Sequence, residues 1–156
     1  MLLDVLGLLS ACSYALDCVE AELVHVSDKH AKRVAYMSVC MAEQLGISGE
    51  SLQDLAACAL LQDKALTQWI QGELHKDVAN APQASQVGIH CTLGEKNIQR
   101  LPFHTDVKNV ILYHHENANG SGPFGKTWEE VPMFYRIIHL SDLLDRAYGA
   151  KGFTED

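Results

Sequence analysis

A chain of 156 residues with 47% apolar and 21% charged side chains has the balance of one globular domain, which excludes disordered, collagen-like and low-complexity proteins. Twenty acidic against twelve basic residues give a formal net charge of −8, so bulk nucleic acid and membrane surfaces are poor partners and an anionic ligand needs a local cation. Five cysteines, at 12, 18, 40, 58 and 91, include no C-x-x-C pair; they point to neither a disulfide framework nor a zinc ribbon and read as small buried hydrophobes.

Taken in chain order, the periodicity predicts helices almost throughout. Leu2 to about Val24 is apolar with a helical rhythm. Its run from Val5 to Leu16 lies between Asp4 and Asp17 and falls short of the roughly 20 residues of a membrane span. Leu9-Ser10-Ala11-Cys12 has the look of a lipoprotein cleavage site, but no Lys or Arg precedes it and Asp4 does, so the expected location is the cytoplasm. The Asn119-Gly120-Ser121 sequon carries no meaning there. Ser27 or Asp28 is the expected N-cap of a second helix from about Lys29 to Leu45, closed by Gly46. A third helix spans about Glu50 to Asp63, and a weaker one Leu66 to Leu74. His75 to Gly88, with Pro82, reads as a loop or hinge. Further helices are expected over Leu93 to Leu101 and Thr105 to Glu116. Asn117 to Pro132 is a Gly- and Asn-rich loop, and Pro132 suits the first turn of a last helix ending near Tyr148. No segment alternates like a strand and no repeat is visible. The expected fold is all-α: a single-domain bundle of six to eight helices over residues 1–156, with an N-terminal helix over 1–24 and the core over 26–150.

Several polar residues fall on apolar helical faces. His30 continues the stripe Val34, Met37, Met41 and Leu45. Asp63 extends Leu52, Leu55, Ala56 and Ala59; His114 and His115 extend Val107, Val110 and Ile111; Asp142 follows Ile138 by one turn. For each alone, a hydrogen-bonded core role is the commoner explanation. Two inward aspartates and several inward histidines from different helices need compensation, because a buried unpaired carboxylate loses several kcal/mol of hydration. A metal cluster inside a helical bundle supplies it.

Other signals are weaker. Gly120-Ser121-Gly122-Pro123-Phe124-Gly125 fits G-x-G-x-x-G but lacks a βαβ context. Cys91 beside His90 reads as packing, since adjacent helical residues point about 100° apart and are not expected to meet. His75, His104 and His139 read as surface or capping residues, and Trp69, Trp128, Phe134 and Tyr135 as core or loop anchors.

The segments His30-Ala31-Lys32-Arg33-Val34, Leu60-Leu61-Gln62-Asp63, His90 with Gly94, His114-His115-Glu116, the glycine loop, and Arg136-Ile137-Ile138 leading to Ser141-Asp142 resemble the HD-domain metal-dependent phosphohydrolases, specifically the HD-GYP branch. The resemblance implies a helical bundle holding divalent transition metal, commonly iron or manganese, that hydrolyses the bacterial second messenger cyclic di-GMP. It carries the general ligand positions onto His30, Gln62, Asp63 and Asp142, with Asp63 bridging and catalytic, and the extra ligands of the branch onto His90, His114 and His115. Paired cations in such a site polarise the phosphodiester and lower the pKa of a water.

Four departures bear on activity. Gln62 stands where the family has His, replacing an imidazole by a weak amide ligand. The family's lysine falls on Leu66, with Lys64 expected to point elsewhere, and a glutamate of some members falls on Val26. In the naming loop, Asp becomes Asn119 and Tyr-Pro becomes Pro123-Phe124. One or two ions are therefore expected. Two functions follow: a phosphohydrolase of reduced activity on a small anionic phosphoester or cyclic dinucleotide, or a degenerate signalling or oligomerisation module. A homodimer or a place in a larger signalling protein fits either.

Overall fold

The computed structural model describes residues 4–24, 29–64 and 83–148. Regular structure among them is helical: α1 Val5–Val24, α2 His30–Gln44, α3 Gly49–Leu61, α4 Gln83–Ile98 and α5 Met133–Tyr148. The β pairing among the described residues is an isolated bridge between Asn119 and Thr127. None of these helices is long and apolar enough to cross a membrane.

α3 is the central helix because Asp54 to Leu60 is buried without interruption, and a helix apolar all round must be covered on every side. Its run of Ala56, Ala57, Cys58 and Ala59 lets neighbours approach closely. α1 lies on one side, where the buried Ser13 hydroxyl donates to the Leu60 carbonyl at 2.8 Å. α2 lies on another, with Ala31, Val34, Ala35, Ser38 and Ala42 buried along one stripe, and packs in turn on α5, where Ser38 Oγ donates to Ser141 Oγ at 3.0 Å. Asp4 caps the α1 start at Val5 by accepting the Gly7 N–H; Leu2 lies outside the described residues. Gly46, at φ 81°, closes α2 while the Ile47 N–H returns to Ala42 O at 2.9 Å, the 6→1 bond of a left-handed helix terminus. Ser27, Asp28 and the expected helix over 66–74 lie outside the described residues, as do His75 and Trp69.

Two expectations are corrected. α4 begins at Gln83, not Leu93, so the later part of the expected loop is helical. His90, Cys91, Gly94, Glu95 and Ile98 are all buried, and this face outweighs the roughly 1 kcal/mol that Gly88 costs inside a helix. The expected helix from Thr105 to Glu116 is instead a chain of turns, with Asn109 at φ 66°. Buried carboxylates take the backbone donors that a helix would have used. Glu95 accepts the N–H groups of Asn109 (2.7 Å) and Leu112 (3.1 Å), and Asp54 accepts those of His104 and Thr105 and the Thr105 hydroxyl. Val107, Val110, Ile111 and His114 are nevertheless all buried, which is why the spacing mimics a helix. Five helices among the described residues thus stand against the six to eight expected.

Residues 117–132 form the expected irregular loop, organised from within. Glu116, 1% exposed, accepts the N–H groups of Phe124 (2.5 Å) and Lys126 (2.7 Å), and its carbonyl accepts the Tyr135 hydroxyl at 2.7 Å. A Cβ on Gly122 would lie 2.6 Å from Glu116 Cα, so this position takes no side chain. Trp128, Phe134 and Tyr135 pack in or against the core as expected. The cysteines divide: Cys58 and Cys91 are buried, but Cys12 and Cys18 on α1 and Cys40 on α2 are exposed. His104 is exposed, whereas His139 is half-buried with its ring 5.3 Å from that of Tyr135.

Candidate metal centre

Helical spacing and the end of α3 bring polar side chains to one place. His30 opens α2, Asp63 follows the last turn of α3, and Asp142 sits on the inner face of α5. His30 Nε2 lies 3.2 Å from Asp142 Oδ1 and 3.6 Å from Asp63 Oδ2. The other ring nitrogen, Nδ1, is 2.7 Å from Asp145 Oδ2, and Asp145 is itself clasped by Arg33 through Nε (2.6 Å) and a terminal nitrogen (2.9 Å). A carboxylate that fixes one imidazole nitrogen aims the other, which is the usual support of a metal-binding histidine. Arg146, one turn after Asp142, reaches its carboxylate at 2.9 Å.

A second group stands beside the first. His90 Nε2 lies 3.2 Å from His114 Nε2 and 3.1 Å from His115 Nε2. His114 Nδ1 meets the Ile111 carbonyl at 2.6 Å, so its Nε2 faces the cluster, 3.2 Å from Asp63 Oδ1. Asp63 therefore presents one oxygen to each group. Cys91 Sγ is 3.8 Å from His90 Nε2; the angular argument that kept these neighbours apart fails because their terminal atoms converge with His114 and His115. One potential ligand atom from each of His90, Cys91, His114 and His115 fits within 4.8 Å of the others, as does one from each of His30, Asp63 and Asp142.

The electrostatics are those of a site built for cations. Burial works against ionised Asp63, yet hydrogen bonds from His114 and His30 hold it well below the usual carboxylate range. Burial lowers His30, but hydrogen bonds to Asp142, Asp63 and Asp145 outweigh it and raise the imidazole to about 10. His114, opposed by burial and held by Asp63 and Cys91, also rises to about 10. Burial and the neighbouring charge of His114 push His115 down to about 3. Asp142 and Asp145 are lowered against burial, by His30 and Arg146 and by Arg33 and His30 respectively. Protons on His30 and His114 thus supply the positive charge that the carboxylates require.

Gln62 immediately precedes Asp63, is 2% exposed, and its amide Nε2 has no hydrogen-bond partner. An orphaned buried N–H costs about 1–3 kcal/mol; the imidazole and carboxylate donors of the two groups themselves suit a transition metal. Asn119 lies in an exposed turn, accepting the Ser121 N–H. Sequence spacing missed Asp145, Arg146 and Cys91. A signal for the first was present: Asp145 follows Asp142, and Arg33 follows His30, by three residues on the same helical face.

A family model described as an HD domain matches residues 17–156. The chain belongs to the HD domain family. Among curated proteins, this HD domain is 28% identical over 132 residues to the cyclic di-GMP phosphodiesterase response regulator RpfG of Xanthomonas campestris pv. campestris (strain 8004), covering 80% of this chain and 34% of that protein. Among solved structures, a cyclic GMP-AMP specific phosphodiesterase of V. cholerae, V-cGAP3, superposes with a TM-score of 0.73 at 21% identity, over 94% of this chain and 41% of that one. The HD domain described here thus spans well under half the length of either relative.

Asp145→Ala in this HD domain is expected to weaken metal binding by about 10- to 100-fold, the usual effect of losing the partner that orients a ligand histidine. The same change should cost about 1–3 kcal/mol of stability by leaving the Arg33 and His30 donors unmatched. Competition against a chelating dye and thermal unfolding measure the two effects separately.

Proposed function

We propose that this HD domain is an HD-GYP-like metal-dependent phosphohydrolase acting on a cyclic dinucleotide, such as cyclic di-GMP, or a related phosphoester, with reduced turnover. The observation that carries it is the double engagement of Asp63, whose two oxygens face His30 and His114 on opposite sides. His30, Asp63 and Asp142 would hold one ion, of iron or manganese, and His90, His114 and His115 a second. When bound, such ions polarise a phosphodiester and acidify a water that attacks phosphorus.

The chain's own residues set the conditions for this. Asp63 is too acidic to accept a proton at neutral pH, so its role is to hold cations rather than to act as a general base. Asp145 and Arg33 keep the His30 ring aimed inward. Arg146, with just over half of its side chain exposed, has further N–H donors for a phosphate oxygen, the local cation that an acidic chain needs for such a ligand. The names of both relatives support a cyclic dinucleotide as the substrate class.

Gln62 favours a second function, a degenerate signalling or oligomerisation module that keeps its metal but not its turnover, because the amide is a weak donor beside Asp63. The test is incubation of protein purified without chelator with cyclic di-GMP and cyclic GMP-AMP in manganese or ferrous buffer, following the linear product by chromatography. Slow turnover that chelator abolishes is the expected result. Absence of product from either substrate by metal-loaded protein would replace the hydrolase with the degenerate module.

A further inference from the structure

We propose that Cys91 is a metal ligand, completing with His90, His114 and His115 a site of one thiolate and three imidazoles for a borderline-soft ion such as zinc. This rests on the metal-binding part of the function proposed above and goes beyond it in ligand set and ion. The four donor atoms converge within 4.8 Å. Tetrahedral zinc has bonds of about 2.3 Å to sulfur and about 2.0–2.1 Å to nitrogen, so donor atoms around it sit roughly 3.3–3.6 Å apart. The separations in the fold are 3.1 and 3.2 Å between imidazole nitrogens and 3.8 Å from sulfur to nitrogen. The widest of the separations lies within 4.8 Å and must close to about 3.6 Å on coordination.

The chemistry of the set follows from its composition. A thiolate is a soft donor that selects zinc over manganese, whereas the carboxylate-rich group of His30, Asp63 and Asp142 suits manganese or iron. On binding, the Cys91 thiol gives its proton to bulk buffer and its sulfur lone pair to the ion. The two groups then differ in the ion they favour, while Asp63, with Oδ1 3.2 Å from His114 Nε2, remains the link between them.

Cobalt(II) titration tests this, because thiolate ligation adds a near-ultraviolet charge-transfer band that imidazole and carboxylate ligands do not give. The exposed Cys12, Cys18 and Cys40 are alkylated first; Cys58 is enclosed in the apolar core. Wild-type protein should bind cobalt with the thiolate band, lose it to one equivalent of zinc, and keep it against a tenfold excess of manganese. Cys91→Ala and Cys91→Ser, checked for helical content by circular dichroism, should lose the band. Bound cobalt with no thiolate band, or a band that survives in either folded variant, overturns the proposal while leaving the phosphohydrolase intact. No cobalt bound at all would overturn both. The wild-type spectrum decides the matter even where the variants fail to fold.

Discussion

Asp63→Asn should lower the iron or manganese content of the purified protein at least tenfold, through loss of the ion held with His30 and Asp142. The side chain is the link between the two ligand groups, with Oδ2 3.6 Å from His30 Nε2 and Oδ1 3.2 Å from His114 Nε2. An amide of the same shape keeps the packing but removes the negative charge that both groups share and presents N–H where a donor lone pair is needed. Elemental analysis measures the loss, and circular dichroism verifies that the helices persist. The metal-free protein offers an independent check. The imidazoles of His30 and His114 rise from an ordinary 6.5 to about 10 in the folded chain, so their ion pairs stabilise it fully below the unfolded value and cease to do so as pH climbs through about 10. Stability of metal-free wild type should therefore decline between those limits, and Asp63→Asn should flatten the decline. Retention of full metal content by the variant would remove Asp63 from the centre.

Gln62→His is expected to act in the opposite direction, raising the metal stoichiometry by about one ion per chain, because it returns an imidazole donor to the position before Asp63. The site is prepared for it: Gln62 is buried, and its Nε2 atom lacks a partner. Replacing an orphaned amide by a ring that has a ligand to meet removes a cost of about 1–3 kcal/mol. Turnover should improve modestly, and more with Leu66→Lys added to supply a phosphate contact; Leu66 lies outside the described residues. Unchanged stoichiometry in Gln62→His would show that this position does not face the metal.

What could be read from sequence was whatever a single helix encodes in its own periodicity. The stripe His30, Val34, Met37 and Met41, and the step from Ile138 to Asp142, hold because α2 and α5 are continuous helices packed on one face, whereas Leu45 falls just past the end of α2 and is exposed. Periodicity misled where a distant side chain replaced the backbone ladder. Residues 105–116 have helical spacing, yet Glu95 and Asp54, on two other helices, take their N–H groups and fold them into turns. The start of α4 was missed because the loop reading of 75–88, with Pro82, is local, whereas the burial of the α4 face is tertiary. Cys91 was set aside on direction alone; the convergence of its sulfur with three imidazoles depends on the reach of side chains from α4 and from residues 114–115. Asp145 was visible as an acidic residue one turn from another, but that Arg33 and His30 both turn to it is a property of how α2 lies on α5.

The way Glu116 gathers the loop behind His114 and His115 bears on how this segment tolerates change. Its carboxylate takes two backbone N–H groups, its carbonyl takes the Tyr135 hydroxyl, and Gly122 lies directly against its backbone. None of these bonds uses the side chains of Asn119, Ser121 or Pro123, all of which are exposed. Substitution at the tip of the loop therefore costs at most exposed hydrogen bonds of Asn119 and Ser121, while Glu116 and Gly122 have almost no latitude. A lineage could rewrite the Asp and Tyr-Pro of the naming motif into Asn119 and Pro123-Phe124 and still inherit a properly seated pair of imidazoles, so erosion of the motif and loss of the centre are separable events in the history of such a chain.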